Sequence, residues 1–170
     1  MPARKMYAYP IDGHGAHHDL LSPIPHEGFA TRGLADEAII GVLERPLTAP
    51  RKPTPADFSP NAVFLDYLHD FVASCATTLP GLLEAARLQG AGRVPVIDQR
   101  TPTPGGDVPA EDVIGSFAVQ GGQLVPDSYE ANPDHLLMTE RGFFSLGEEL
   151  DALMLEELIR LSEEESTPQP

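Results

Sequence analysis

A cluster of histidines and carboxylates near the N-terminus is the part of the sequence best suited to chemistry. Asp12, His14, His17, His18 and Asp19 place three imidazoles and two carboxylates within eight residues. Zn and other divalent transition metals accept such ligands, and the two intervening glycines would let a loop fold around an ion. The spacing matches no established metal motif, and a His-rich tract is compositional evidence only. We therefore expect a solvated polar loop, with a metal site formed by His14, His17, His18 and Asp19 as the alternative.

Two other positions carry side chains that act in catalysis elsewhere. Asp98 ends a predicted strand just before Arg100 and a Gly/Pro-rich loop, where catalytic groups often lie, and it is the general base of the metal-dependent alternative. An ion pair or a loop hydrogen bond is its more ordinary role. Cys75 would be a nucleophile if His69 or His135 served as its base. Because Cys75 falls on the apolar stripe of a predicted helix, we expect it to behave as a small buried hydrophobic residue.

Acidic side chains concentrate at the C-terminus. Residues 145–170 contain eight carboxylates and one arginine. A helix predicted from Leu146 to about Leu161 carries leucine and methionine on one side and glutamate on the other. Such a charged face either only solubilises the protein or attracts a basic partner and selects it. The predicted partner-binding residues are Glu148, Glu149, Asp151, Glu156 and Glu157, and the apolar stripe of the same helix offers a homodimer contact.

Composition excludes several classes of partner. The chain of 170 residues has 11 Lys and Arg against 26 Asp and Glu, for a formal charge of −15. Nucleic acids and anionic membrane surfaces are poor partners for so acidic a chain, because both are bound through clustered basic residues. There is no apolar run of about 20 residues that would span a bilayer. The single cysteine excludes an internal disulfide, and we expect a cytoplasmic protein.

Hydrophobic periodicity and turn residues predict an α+β fold. It consists of three N-terminal helices (34–44, 60–77 and 81–88), a small antiparallel sheet with a Gly-Gly hairpin, and a C-terminal amphipathic helix. The hairpin pairs 113–120 with 123–125 around Gly121-Gly122, which suits a type I′ turn. A second, shorter hairpin is predicted from His135 to Ser145.

The predicted organisation is one domain with irregular ends. Residues 1–33 form an irregular His-rich segment, and residues 34–163 form a single α+β domain. A proline-rich connector at 46–60 lies inside that domain, and residues 164–170 form a disordered tail.

The function predicted from these features is a non-catalytic interaction or regulatory protein, of the adaptor or immunity type, that binds a basic protein partner. It needs no cofactor. The alternative is a small metal-dependent enzyme, a hydrolase using Zn or another divalent transition metal at the N-terminal histidines. A ligand pocket beneath the Gly-Gly hairpin is a third possibility, without specific residues to support it.

Overall fold

The chain divides into two compact units. A computed structural model describes residues 6–13, 16–25, 35–43, 55–100, 108–140 and 142–166. The first unit comprises Met1–Tyr67, Met138–Arg141 and Asp151–Pro170, and the second comprises Leu68–Leu137 and Gly142–Leu150. Three α-helices and ten strands lie within the described residues.

The first unit is built on a four-stranded antiparallel sheet with its strands in chain order. Its buried side chains include Leu21, Ile24, Ile40 and Leu43. The buried hydroxyl of Tyr9 donates a hydrogen bond to the carbonyl of Ile24. The four strands are β1 (Tyr7–Gly13), β2 (Ala16–Ser22), β3 (Gly41–Leu43) and β4 (Phe58–Pro60).

The prediction of three N-terminal helices is wrong. The first predicted helix, 34–44, is a 3₁₀ turn at Asp36–Ala38 followed by strand β3. Tertiary context overrides the helical spacing, because Gly41 packs so closely on β4 that a Cβ atom would clash with the Ser59 carbonyl and the Phe58 ring. The strands β1 and β2 also replace the irregular structure expected for the N-terminal segment.

The two helices that precede the second sheet are close to those predicted. Helix α1 spans Ala62–Cys75 and buries Phe64, Leu68, Phe71 and Val72. Asn61 caps it, since its side-chain oxygen accepts from the Val63 amide, whereas Pro60, where the predicted helix began, belongs to β4.

Helix α2 spans Pro80–Gln89 and begins with proline in its first turn. It ends at Gly90, whose φ of 78° lies in the left-handed region and whose amide bonds to the Ala86 carbonyl. Gly92, the next glycine along the chain, lies in strand β5 and takes no part in ending the helix.

The second unit contains an antiparallel sheet in which β6 is the central strand. Its register is the predicted one, with Val119 opposite Leu124 and Gln120 opposite Gln123. Gly121 and Gly122 have φ values of 58° and 75°, as a type I′ turn requires. The strands are β5 (Ala91–Ile97), β6 (Val113–Gln120), β7 (Gln123–Leu124) and β8 (Glu130–Ala131).

The remaining elements are a short hairpin and a long helix. Strands β9 (Met138–Thr139) and β10 (Gly142–Phe143) form a two-stranded sheet, near the second predicted hairpin. Helix α3 spans Glu148–Ser166 and buries Leu150, Met154 and Leu158. Among the helices that the structure describes, none combines the length and the apolar composition needed to cross a membrane.

Candidate functional site

The second unit contains two candidate functional sites, a buried cluster of charged side chains and an apolar cavity. The cluster forms where strand β5 ends and strand β6 begins. Asp98 directly follows β5 and Asp112 directly precedes β6, and the Asp98 amide donates to the Asp112 carbonyl at 2.7 Å. This backbone bond brings the two carboxylates to the same place, and both side chains are buried.

Arg100 lies between these two carboxylates and uses all of its donors. Its Nε atom lies 3.0 Å from Oδ1 of Asp112 and 3.5 Å from Oδ2 of Asp98. Its terminal nitrogens donate to four backbone carbonyls, those of Glu111, Leu136, Leu137 and Gly142. A guanidinium group has five N–H donors, and each has a partner here. Arg100 therefore has no donor left for an external ligand.

The carboxylate of Asp98 is engaged as completely. Its Oδ1 atom accepts from the backbone amides of Arg100 at 3.1 Å and Ser145 at 2.9 Å. Its Oδ2 atom lies 2.9 Å from Nε2 of His135, whose side chain is also buried. A general base must reach a substrate proton, and Asp98 has no exposed surface. We interpret the Asp98–Arg100–Asp112–His135 cluster, called the buried clasp below, as structural.

The second feature is a cavity of about 500 Å³. All sixteen of its lining residues belong to the second unit. They come from α1, α2, β5, β6, the start of α3 and the loops next to these elements, and most are aliphatic. The lining includes Leu79, Leu82, Ala85, Val96, Ile97, Glu148 and Glu149. A volume of this size lies within the range of ligand pockets, which are mostly apolar and carry a few polar groups.

The polar groups of the cavity are few and lie together. Gln99, Glu148 and Glu149 are its polar lining residues. The backbone amide of Gln99 donates a hydrogen bond to the Ser145 carbonyl at 2.8 Å. Glu148 and Glu149 are exposed and form the first turn of α3, where carboxylates favour the positive end of the helix dipole. The cavity is therefore apolar inside and negatively charged where it meets solvent.

The predicted partner-binding residues all lie on α3 but differ in exposure. Glu148, Glu149 and Glu156 are exposed, whereas Asp151 and Glu157 are half-buried. The large apolar side chain of Leu153 is 44% exposed on the same helix. The leucine and methionine stripe that was predicted to offer a dimer contact is buried within the chain at Leu150, Met154 and Leu158. The homodimer itself stays a prediction.

The predicted metal ligands fall mostly outside the described part of the chain. His14 lies outside it altogether, and of His17 and His18 only the backbone is described, in strand β2. That backbone pairs His17 with Asp12 and His18 with Ile11, so the described residues of the cluster lie on paired strands instead of in the expected loop. Asp19 is buried. Within the described residues, no group of three or more His, Cys, Asp or Glu side chains is arranged to hold a metal ion, and the metal site stays a prediction.

The two predicted bases for Cys75 have other contacts. His135 belongs to the buried clasp, and Nδ1 of His69 lies 2.7 Å from the hydroxyl of Tyr129. Burial raises the pKa of the Tyr129 hydroxyl. The Tyr129 ring packs against Phe117 with 5.1 Å between ring centroids, and Gly115 leaves the space that Tyr129 occupies. This pairing of His69 with Tyr129 is local packing in the second unit.

Sequence reasoning missed the cavity and the completeness of the clasp. The sequence did contain a signal for the clasp, since Asp98 and Arg100 flank a strand end and Asp112 immediately precedes the next strand. It contained no comparable signal for the cavity, whose lining comes from five separate elements.

Comparison of the chain with protein-family models, with curated proteins and with solved structures found no match.

Proposed function

We propose that the chain is a non-catalytic binding protein that recognises a basic protein partner at the N-terminal end of α3. One observation carries the proposal. Glu148 and Glu149, two of the five acidic residues predicted to bind a partner, are exposed and also line the apolar cavity. Carboxylates next to an apolar recess form a surface that matches a partner carrying both basic and apolar side chains.

The charge of α3 supports this choice of partner. From Glu148 to Ser166 the helix contains eight carboxylates and one arginine. Its Glu149, Leu153 and Glu156 are exposed and follow helical spacing, so an apolar side chain lies between acidic ones on one side of the helix. A surface of this charge steers basic proteins into encounter and repels nucleic acids and acidic proteins. We place this function in the cytoplasm and assign it no cofactor.

The buried clasp supports a non-catalytic role. The side chains of Asp98 and Arg100 bond to other residues of the clasp and to the backbone, and His135 bonds to Asp98 through Nε2. Such a cluster fixes the loops around it, because each loop contributes a carbonyl or an amide. The structural contacts of these residues therefore explain their presence without a catalytic role.

The proposal is tested by comparing two variants of equal charge in partner capture. Glu148→Gln/Glu149→Gln/Glu156→Gln removes three carboxylates from α3, and Asp127→Asn/Asp134→Asn/Glu140→Gln removes three exposed ones elsewhere. Proteins that each immobilised chain retains from a cell lysate at about 0.15 M salt would be quantified by mass spectrometry. We expect the wild type and the second variant to retain the same basic proteins, and the first variant to lose them. Equal capture by all three proteins would refute the proposal.

A further inference from the structure

We propose that the cavity of the second unit receives one large apolar side chain of the basic partner, while the positive neighbours of that side chain pair with Glu148 and Glu149. This inference rests on the proposed function and adds the chemistry of the partner's contact segment. The contact segment is a short stretch of polypeptide with an aromatic or large aliphatic residue flanked by lysine or arginine.

The interior of the cavity selects an apolar group. The buried side chains of Leu82 from α2, Val96 from β5 and Ile114 from β6 line this cavity of about 500 Å³. A side chain of the size of phenylalanine or tryptophan fits this volume, and burying it removes a large apolar area from water. A charged group would lose its hydration there without gaining a partner, so the interior rejects it.

The rim of the cavity selects positive charge next to the apolar group. Glu148 and Glu149 are exposed and are the charged residues among the sixteen that line the cavity. A cation at the rim would keep part of its hydration while it gained attraction from two carboxylates. An apolar group with an adjacent acidic residue would instead be repelled.

The apolar surface continues beyond the cavity, which favours a polypeptide over a small molecule. Leu88 lies on α2 one turn beyond Ala85, which lines the cavity, and it is 71% exposed. A small ligand held inside the cavity would leave this leucine in water. A protein partner with one residue in the cavity could also cover Leu88 next to it.

Five-residue peptides test the inference directly. Each has an acetylated N-terminus, an amidated C-terminus, and one central residue between two pairs of lysines, with phenylalanine or serine at the centre. A third peptide places phenylalanine between two pairs of glutamates. Binding to the isotope-labelled full chain would be followed by amide NMR shifts at about 0.15 M salt.

Two substitutions separate the roles of the cavity and of the rim. Ala85→Leu enlarges an exposed side chain that lines the cavity and keeps the charge, with Ala62→Leu, an exposed helical position outside the cavity, as its control. Glu148→Gln/Glu149→Gln removes the rim charge, with Asp134→Asn/Glu140→Gln as the control of equal charge. Amide spectra of the unbound variants would show that each variant is folded.

The inference predicts that the phenylalanine–lysine peptide binds at least about tenfold more tightly than the serine–lysine peptide and shifts the amides of Val96 and Ile97. Ala85→Leu should abolish this difference, and the rim variant should weaken both lysine peptides. If the two lysine peptides bind equally and Ala85→Leu changes nothing, the cavity inference is wrong while the proposed function stands. If lysine and glutamate peptides bind equally, or neither binds, both the inference and the proposed function are overturned.

Discussion

The Nε2 atom of His135 lies 2.9 Å from the Oδ2 atom of Asp98, and both side chains are buried. The other ring nitrogen of His135, Nδ1, is buried and has no hydrogen-bond partner among the residues that the structure describes. The pairing therefore defines both the position of the ring and the place of its proton.

The first prediction concerns the tautomer of His135. A carboxylate accepts hydrogen bonds, so Nε2 must carry the proton that faces Asp98. A proton on Nδ1 would be a buried donor without a partner. We expect the neutral ring to carry its proton on Nε2, seen as a protonated Nε2 and a bare Nδ1 in long-range ¹H–¹⁵N correlation spectra. A protonated Nδ1 would contradict the geometry described for the clasp.

The second prediction concerns the replacement of Arg100 by lysine. Lysine keeps the charge but cannot form the five diverging hydrogen bonds of the guanidinium, so buried carbonyls lose their donors. We expect Arg100→Lys to lower the free energy of unfolding by about 3 kcal/mol, measured by urea denaturation. Arg93→Lys, which alters an exposed arginine, should lower it by less than about 1 kcal/mol. Equal losses would mean that the clasp is not a major source of stability.

The third prediction contrasts two glycines. A Cβ atom at Gly41 would clash with the Ser59 carbonyl and the Phe58 ring, whereas one at Gly81 would meet no atom within 4 Å. We expect Gly41→Ala to destabilise the chain by about 2 to 4 kcal/mol. Gly81→Ala in helix α2 should stabilise it by about 0.5 to 1 kcal/mol. Thermal melting of both variants checks the pair, and a neutral Gly41→Ala would contradict the close approach of β3 and β4.

The fourth prediction concerns stability at alkaline pH. Burial raises the pKa of Tyr129 in the folded chain, whereas the unfolded-state pKa is about 10. Above pH 10 the unfolded chain releases this proton more readily than the folded chain, so the free energy of unfolding falls from there towards the folded-state pKa. We expect Tyr129→Phe to lose less stability between pH 9 and 11 than the wild type in urea denaturation. Tyr7→Phe is the control and should lose as much stability between pH 9 and 11 as the wild type. An unchanged pH dependence in Tyr129→Phe would contradict the burial of its hydroxyl.

Local signals in the sequence account for much of the second unit. The Gly-Gly turn and the alternation of Phe117 and Val119 with less buried residues specify the β6–β7 register, because each signal acts between near neighbours. Proline in the first turn of α2 and Gly90 at its end likewise mark that helix. Elements of this kind are predictable because their sequence and their structure involve the same few residues.

The errors come from contacts between distant residues. Leu34 to Glu44 has helical spacing, yet pairing with β2 and β4 and the close approach at Gly41 make its second half a strand. Asn61 further holds the preceding turn by donating to the carbonyls of Asp36 and Ile39. The C-terminal helix, predicted from Leu146, begins instead at Glu148, because Gly147 has a φ of 95° and therefore lies outside the helical region.

The candidate site was predicted only in part. Glu148 and Glu149 were singled out because acidic residues cluster there in the sequence, and charge density is a local property. The cavity beside them depends on how five elements pack, which no window of the sequence contains. The sequence is compatible with Asp98 as a general base or as an ordinary ion-pair residue, and the complete burial of Asp98 favours the ion pair.

Site-specific crosslinking tests the central claim, partner recognition at α3, most directly. A photoreactive phenylalanine would replace the exposed Ala152, which lies one turn beyond Glu148, and Glu140 in a control chain. We predict that irradiation in the cells that make the protein joins position 152, but not position 140, to a basic protein. This product should disappear when Glu148 and Glu149 are glutamine. The same products from both positions, or a product that survives the loss of both glutamates, would contradict the claim that α3 binds a basic partner.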